Sequence, residues 1–492
     1  MQRPLRLRPP KWLYSSIRWR TRAVAWSAAA LAGLAAVGFA RLSEVALDGF
    51  DLLTRSRLWL ALALTPAIGM LVVWATRRFV PGAQGSGIPQ TIAATHTLGA
   101  TGSVDRLLSL RIAGGKIGLG ALALLGGFSA GREGPTVQIS ASIMHFAHRL
   151  MPHARAIRVQ DLALAGGAAG IAAAFNTPLA GITFAVEELG RRLEARTSGV
   201  LLSTIIVAGL TAMAIEGNYR YFGQLTVGAV GIGILPAVLA GAAICGVAGG
   251  AFSWLLLWPQ RASGRGPWRW RAEHPVAFAG ACGLAIALIG WSSGGVSFGS
   301  GYAITSQAIG GAIDLPWYAP LARFAATVIT YFSGIPGGLF APALAIGAAI
   351  GFDLSRGFDF GMSTHPLIAI CMTGFLAAVT QSPITSAIIV MEMVDGHSMV
   401  ISLMATALLA KAISSRFGPE LYRQLAVDFL RAPALASDAA AVTAGAGAEG
   451  GSGVATAAVT AGANVAAAPG VAAAAVTAGA GAGVEGGSDA TR

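Results

Sequence analysis

Ser129-Ala-Gly-Arg-Glu-Gly-Pro135 places Glu133 between two segments without any charge, residues 117–130 and 134–144. An ionisable side chain at membrane depth costs roughly 2.5–3.5 kcal/mol on insertion scales, so its presence there calls for a function. Glycines on both sides and Pro135 add a backbone bend at the same point. A carboxylate on an interrupted helix inside a bilayer points to ion or proton movement.

The composition around this stretch is that of a membrane protein. Of 492 residues, 54% are hydrophobic and 11% charged, against about 25% charged in ordinary soluble domains. Residues 197–257 carry only Glu216 and Arg220, and residues 275–313 carry no charge. The runs 23–40, 58–75, 112–128, 199–215 and 276–291 approach the ~20 residues that span hydrocarbon. At least ten apolar segments predict an all-α polytopic protein, whereas a β-barrel would show ~10-residue alternating strands.

The net charge of +12 would suggest nucleic acid in a soluble chain. Here the arginines cluster between apolar runs, at residues 3–22, 149–158, 191–196 and 261–271, which fits cytoplasmic loops and excludes a nucleic-acid partner. The basic segment 1–22 has seven basic residues and no acid, placing the N-terminus in the cytoplasm. A cleaved leader is disfavoured by the many spans that follow. Cys245, Cys282 and Cys371 lie in apolar segments without histidine neighbours and read as buried hydrophobes, neither disulfides nor metal ligands. Lys11, Lys116 and Lys411 are the only lysines among 34 basic residues, a bias that suggests a GC-rich, bacterial genome and a bacterial inner membrane.

The chain also matches itself. Residues 172–187 (AAAFNTPLAGITFAVE) align without gaps on residues 377–392 (AAVTQSPITSAIIVME) at an offset of 205. Upstream, Phe128-Ser-Ala-Gly-Arg-Glu-Gly-Pro135 matches the region from Phe332 to Pro342 at a similar offset. Two matched stations in one order predict two membrane repeats, residues 23–222 and 228–431. Transporters built this way place substrate where broken helices of both halves meet. Residues 432–492, an Ala/Gly-rich tail with internal copies, lack the large apolar residues for a core and read as disordered. No folded regulatory domain fits in such a segment.

Three strings break the helical pattern: Gly85-Ser-Gly-Ile-Pro89, Gly131-Arg-Glu-Gly-Pro135 and Gly337-Gly-Leu-Phe-Ala-Pro342. Each starts or ends a helix and leaves backbone N–H groups unpaired. Helix N-termini carry about +0.5 charge, so several converging on one point bind an anion without a buried lysine. Singly the strings are weak signals, but in this order they resemble the chloride channel and transporter (CLC) family, whose signatures read GSGIP, GREGP and GxFxP. The likeness extends to Phe175-Asn-Thr-Pro-Leu-Ala-Gly181, to Glu187-Glu188 and to Gly418-Pro-Glu-Leu-Tyr422, covering residues 25–430.

That resemblance implies an inverted repeat of tilted and broken helices, and a homodimer with one pore per subunit embedded in lipid. It implies that the Ser86 and Tyr422 hydroxyls and the Leu339 and Phe340 N–H groups coordinate chloride. Glu133 would be the gating glutamate, Glu188 the proton acceptor on the inner side, and no cofactor would be needed. Gly85, Gly87, Ile88, Pro89, Gly131, Arg132, Gly134, Pro135, Gly337, Gly338 and Pro342 would shape the filter. Ser86 bears on selectivity, since proline there accompanies nitrate preference in the family. Having both Glu133 and Glu188 favours chloride/proton antiport over a passive chloride channel. Ile92, where some proton-coupled members carry an acid, departs from that pattern.

Other readings stand beside these. Glu133 could pair with the adjacent Arg132, although neighbours in sequence do not face each other on a helix. Glu188 could form a helix-end ion pair with Arg191 or Arg192, and Glu187 and Glu392 read as structural. Tyr422 taken alone would be an interfacial aromatic. Lys116 is either a buried cation or one that snorkels to the interface. Gly127-Phe-Ser-Ala-Gly131 matches a nucleophile elbow, with His145 and His148 following, so an intramembrane serine hydrolase is the remote alternative.

Overall fold

Glycine and proline cut the apolar chain into helices of very unequal length. The computed structural model describes residues 16–96, 104–151, 158–190, 198–217, 222, 232–262 and 265–431. The basic segment before residue 16, the arginines at 191–196, the junction at 223–231 and the tail from 432 lie outside the described residues.

Among the described residues there are eighteen α-helices and no strands. The first half contains α1 (Ser16–Thr54), α2 (Ala61–Phe79), α3 (Ile88–His96), α4 (Leu110–Leu125), α5 (Glu133–His148), α6 (Val159–Phe175), α7 (Pro178–Phe184) and α8 (Ser198–Glu216). A π-helical turn, Ala185–Gly190, continues α7. The second half contains α9 (Leu235–Arg261), α10 (Pro267–Glu273), α11 (Pro275–Ser292), α12 (Tyr302–Ile309), α13 (Ala319–Ser333) and α14 (Phe340–Gly357). It closes with α15 (Thr364–Thr380), α16 (Pro383–Val394), α17 (Val400–Ser414) and α18 (Leu421–Arg431).

Among the described residues, six helices are long and apolar enough to cross a membrane. The sequence-based count of at least ten apolar segments therefore divides into six of spanning length and a set of shorter helices, α6, α15 and α16 among them. The short ones are tolerated at membrane depth because they are enclosed by protein. In α5 every residue from Glu133 to Ser142 is buried, and in α14 every residue from Phe340 to Ala349.

Small residues allow these inner helices to touch. A Cβ on Gly166 of α6 would stand 2.7 Å from Ser140 O of α5, and one on Gly170 would stand 2.8 Å from Thr136 O. On α14, Gly347 and Gly351 make the same kind of approach to Cys371 and Ile368 of α15. Both pairs are spaced i, i+4, the small-xxx-small pattern of close membrane-helix contacts.

The self-match reappears as matched backbone. α6 ends on Asn176 in the left-handed region (φ 56°), and α7 starts at Pro178. α15 ends on Gln381 (φ 59°), and α16 starts at Pro383. The two half-helices then hold each other. The Glu187 carboxylate accepts from the Ile384 and Thr385 N–H groups at 3.3 and 2.7 Å. The Glu392 carboxylate accepts from the Ala180 N–H at 2.9 Å, with the Leu179 N–H also directed at it. Every partner in one set lies 205 residues from its counterpart in the other, so each carboxylate caps the helix of the opposite half.

Candidate functional site

The three glycine-rich strings meet. Gly85 N–H donates to Ile335 O at 3.0 Å, and Gly337 N–H donates to Gly85 O at 3.1 Å. Gly131 and Gly338 exchange both backbone hydrogen bonds, at 2.8 and 2.7 Å. These bridges join the segments that open α3, α5 and α14, so three helix N-termini start from one knot of backbone. Gly134 must be glycine for room: a Cβ there would lie 2.9 Å from Ser86 O and 3.2 Å from Gly338 Cα, and would collide with Ser86 Oγ.

The first-turn N–H groups of α14, at Leu339 and Phe340, have no intrahelical carbonyl to bind. Ser86 and Tyr422 are buried, and their hydroxyls are neighbours, yet neither meets hydrogen-bond geometry with a protein atom among the described residues. Tyr422 is held from behind by the Phe340 ring, stacked at 6.0 Å and 11°. Being fully buried, it is not an interfacial aromatic. A buried polar group left unsatisfied costs about 1–3 kcal/mol, so two hydroxyls beside a helix N-terminus make a strong demand for an acceptor. Ile88, Pro89, Pro135 and Pro342 sit in the first turns of α3, α5 and α14, all buried.

Glu133 is the first residue of α5 and is fully buried. Its carboxylate lies against Gly131 and beside the Ala341 N–H, because a Cβ on Gly131 would meet both Glu133 Oε2 and Ala341 N. The carboxyl group thus rests at the N-terminal turn of α14. Arg132 turns the other way, to Glu44 Oε1 at 2.9 Å and Ala40 O at 3.0 Å on α1. A cavity of about 20 Å³ opens beside Glu133, lined also by Ser43, Glu44, Arg132, Ser300 and Tyr302. Tyr422 is within electrostatic reach of both Glu133 and Glu188.

Glu188 lies on the π-helical turn, buried, with one carboxylate oxygen accepting a short hydrogen bond from the Ser382 hydroxyl. Its other oxygen is buried without a hydrogen-bond partner among the described residues. Glu187, Glu420 and Arg423 are its charged neighbours, and Glu420 pairs with Arg423 at 2.9 Å. Arg191 and Arg192, the alternative partners, lie outside the described residues. Ser382 is the contact that sequence reasoning missed: it appeared only as the repeat mate of Thr177, with nothing local to mark it.

Lys116 does not snorkel. It is fully buried, and its Nζ donates to Ala83 O and Gly85 O at 2.9 and 2.8 Å, bracing the loop that carries Ser86. The nucleophile-elbow reading fails on geometry. Ser129 Oγ pairs with Thr327 Oγ1 at 2.8 Å, whereas His145 Nε2 pairs with Asp105 Oδ1 at 2.5 Å. The three cysteines are free and buried.

Known proteins share this fold. The family model described as voltage gated chloride channel matches residues 68–415. The H(+)/Cl(-) exchange transporter ClcA of Yersinia pestis bv. Antiqua (strain Angola) is 31% identical over 380 residues, covering 73% of this chain and 75% of that protein. ClcA of Cronobacter sakazakii (strain ATCC BAA-894) is 32% identical over 375 residues, covering 73% and 77%. Among solved structures, a slow cyanobacterial Cl-/H+ antiporter superposes with a TM-score of 0.72 at 23% identity, over 84% of this chain and 99% of that one. A CLC-type fluoride/proton antiporter gives 0.69 at 21% identity, over 84% and 98%.

Proposed function

This chain belongs to the voltage-gated chloride channel (CLC) family, and from that membership we propose that it exchanges chloride for protons across a membrane. The observation that carries the reading is the position of the Glu133 carboxylate at the N-terminal turn of α14, whose Phe340 ring stacks on Tyr422 and whose leading Gly338 borders Ser86 at the Gly134 position. A carboxylate and a halide are both anions and compete for one set of donors. Protonation of Glu133 therefore favours chloride entry, and chloride entry favours protonation, because linkage is reciprocal. Relatives named as H(+)/Cl(-) exchange transporters support the same direction.

In this mechanism Ser86 Oγ, Tyr422 Oη and the Leu339 and Phe340 N–H groups hold a dehydrated chloride. Gly85, Gly87, Gly131, Gly134, Gly337 and Gly338 set the backbone path that aims them. Glu133 is the tethered anion that a proton displaces. Glu188, held by Ser382, receives protons from the opposite side. Ser86, rather than proline, suits chloride over nitrate. The protein works as a homodimer with one pore per subunit, surrounded by lipid in a bacterial inner membrane, with its N-terminus cytoplasmic. It needs no cofactor and binds no nucleic acid.

One observation favours the second reading, a passive chloride channel: buried Ile92, midway along α3, leaves no acid there. Vesicles of purified protein under a chloride gradient distinguish the two. Antiport predicts uphill proton movement in wild type. Glu133→Gln is expected to abolish it while chloride flux persists, and Glu188→Gln to stop protons with anion flux retained. Wild-type vesicles that pass chloride and never drive protons would establish the channel.

A further inference from the structure

Arg323 of α13 is the bulkiest of the fully buried side chains, 2% exposed. Both of its terminal nitrogens are buried without a hydrogen-bond partner, and it forms no ion pair among the described residues. A guanidinium stays charged at physiological pH, so it cannot escape burial by losing a proton. An uncompensated charge of this kind is strongly destabilising and requires an anion.

The guanidinium lies against the start of α12. A Cβ on Gly301 would stand 2.5 Å from Arg323 Nη1 and 2.9 Å from its Cζ. Gly301 also has φ +85°, so both space and backbone conformation exclude a larger residue there. Tyr302 N–H is taken by Ser300 Oγ at 3.3 Å, and Thr305 N–H by Gly301 O at 3.0 Å. The Ala303 and Ile304 N–H groups between them have no intrahelical acceptor. A helix N-terminus and an unpaired arginine thus share one point.

That point is close to the gate and separate from it. Ser300 and Tyr302, on either side of Gly301, line the cavity that contains Glu133. Ala345, which also abuts the Gly301 position, is four residues along α14 from Ala341, or about 6 Å of helix rise. Ala341 in turn borders the Glu133 carboxylate.

We infer that Arg323 and the first turn of α12 form a second halide site behind the Ser300–Tyr302 wall, supplying the ion that replaces Glu133 when its side chain withdraws. The choice of a halide rests on the proposed chloride transport. Diffraction from crystals of the whole protein grown in sodium bromide, with data at the bromine edge, tests both. A bromide peak at Arg323 together with one at Ser86 and Tyr422 is the expected result. A peak at Ser86 and Tyr422 alone overturns the second site and leaves transport standing. Absence of both overturns the transport reading as well. In vesicles, Arg323→Met should raise the half-saturating chloride concentration by about tenfold, the scale of one charge-assisted contact, with partial rescue by Arg323→Lys. Unchanged half-saturation in Arg323→Met would refute the supply role.

Discussion

Truncating either of the mirrored carboxylates should weaken the join between the two halves by a similar amount. In Glu187→Ala, two bonds to backbone N–H groups are lost, at 3.3 and 2.7 Å. Hydrogen bonds to charged groups contribute about 1.5–3 kcal/mol each. Both glutamates are only half-buried, so solvent screening reduces the total to about 2 kcal/mol. Glu392→Ala loses its bond to Ala180 and the neighbouring Leu179 contact, and a loss of similar size follows. For a chain of this size, about 1 °C accompanies each kcal/mol, so each variant should melt roughly 2 °C lower. Gln at either position keeps an acceptor and should recover about half of the loss. The consequences for transport should differ. Glu187 caps the helix that follows Ser382, the donor to Glu188, so its removal should also lower protons moved per chloride. Glu392 caps α7 and has no such connection, and Glu392→Ala should leave that ratio unchanged. Melting curves of purified protein and paired proton and chloride flux measurements give both readings. Wild-type melting temperatures in the two Ala variants would refute the capping argument, and an equal change in flux ratio would refute the asymmetry.

Two further outcomes follow from contacts around the site. Gly134→Ala should abolish chloride binding measured by calorimetry, because its Cβ would force Ser86 away from α5, whereas Ala at exposed Gly114 meets nothing within 4 Å and should bind normally. Burial pushes Asp105 up, but hydrogen bonds from His145 and Arg149 outweigh it and hold the carboxyl below its ordinary value of 3.8. A depressed carboxylate contributes stability above that value and loses it as pH falls through the lower folded one. Asp105→Asn should therefore melt below wild type at neutral pH and converge with it as the pH falls well below 3.8. A gap of constant size across that range would count against the linkage.

Much of this was legible because it is local. Glycine and proline mark where helices begin, and α3, α5 and α14 start inside the three strings as read. The offset of 205 was visible as letters, and it returned as matched left-handed residues at Asn176 and Gln381. What the letters could not carry was contact between distant segments. Lys116 sat in an apolar run with two equally plausible fates, and only the fold brings Ala83 O and Gly85 O to its Nζ. Ser382 looked like a conservative exchange until α16 brought it to Glu188. Nothing in the letters around Arg323 marks it as buried, since that is decided by packing against Gly301 and the Ala345 turn of α14, 22 positions to either side. The letters also could not sort the apolar segments by length of crossing, because a half-helix enclosed by protein and a full span facing lipid have similar composition.

The knot of backbone at Gly85, Gly131 and Gly338 shifts where the protein is genetically fragile. Main-chain donors cannot be deleted by changing a side chain, so most missense changes in the lining leave the ion's ligands in place. Damage comes from codons whose products gain an atom. Every single-base change at the first or second position of a glycine codon adds at least a Cβ or ends the chain, and at Gly134 one carbon suffices for a collision. In the proposed site only Ser86 and Tyr422 contribute side-chain ligands that substitution can remove or retune. Inherited variation in ion preference should therefore concentrate at those two positions, with outright loss concentrated at the glycines.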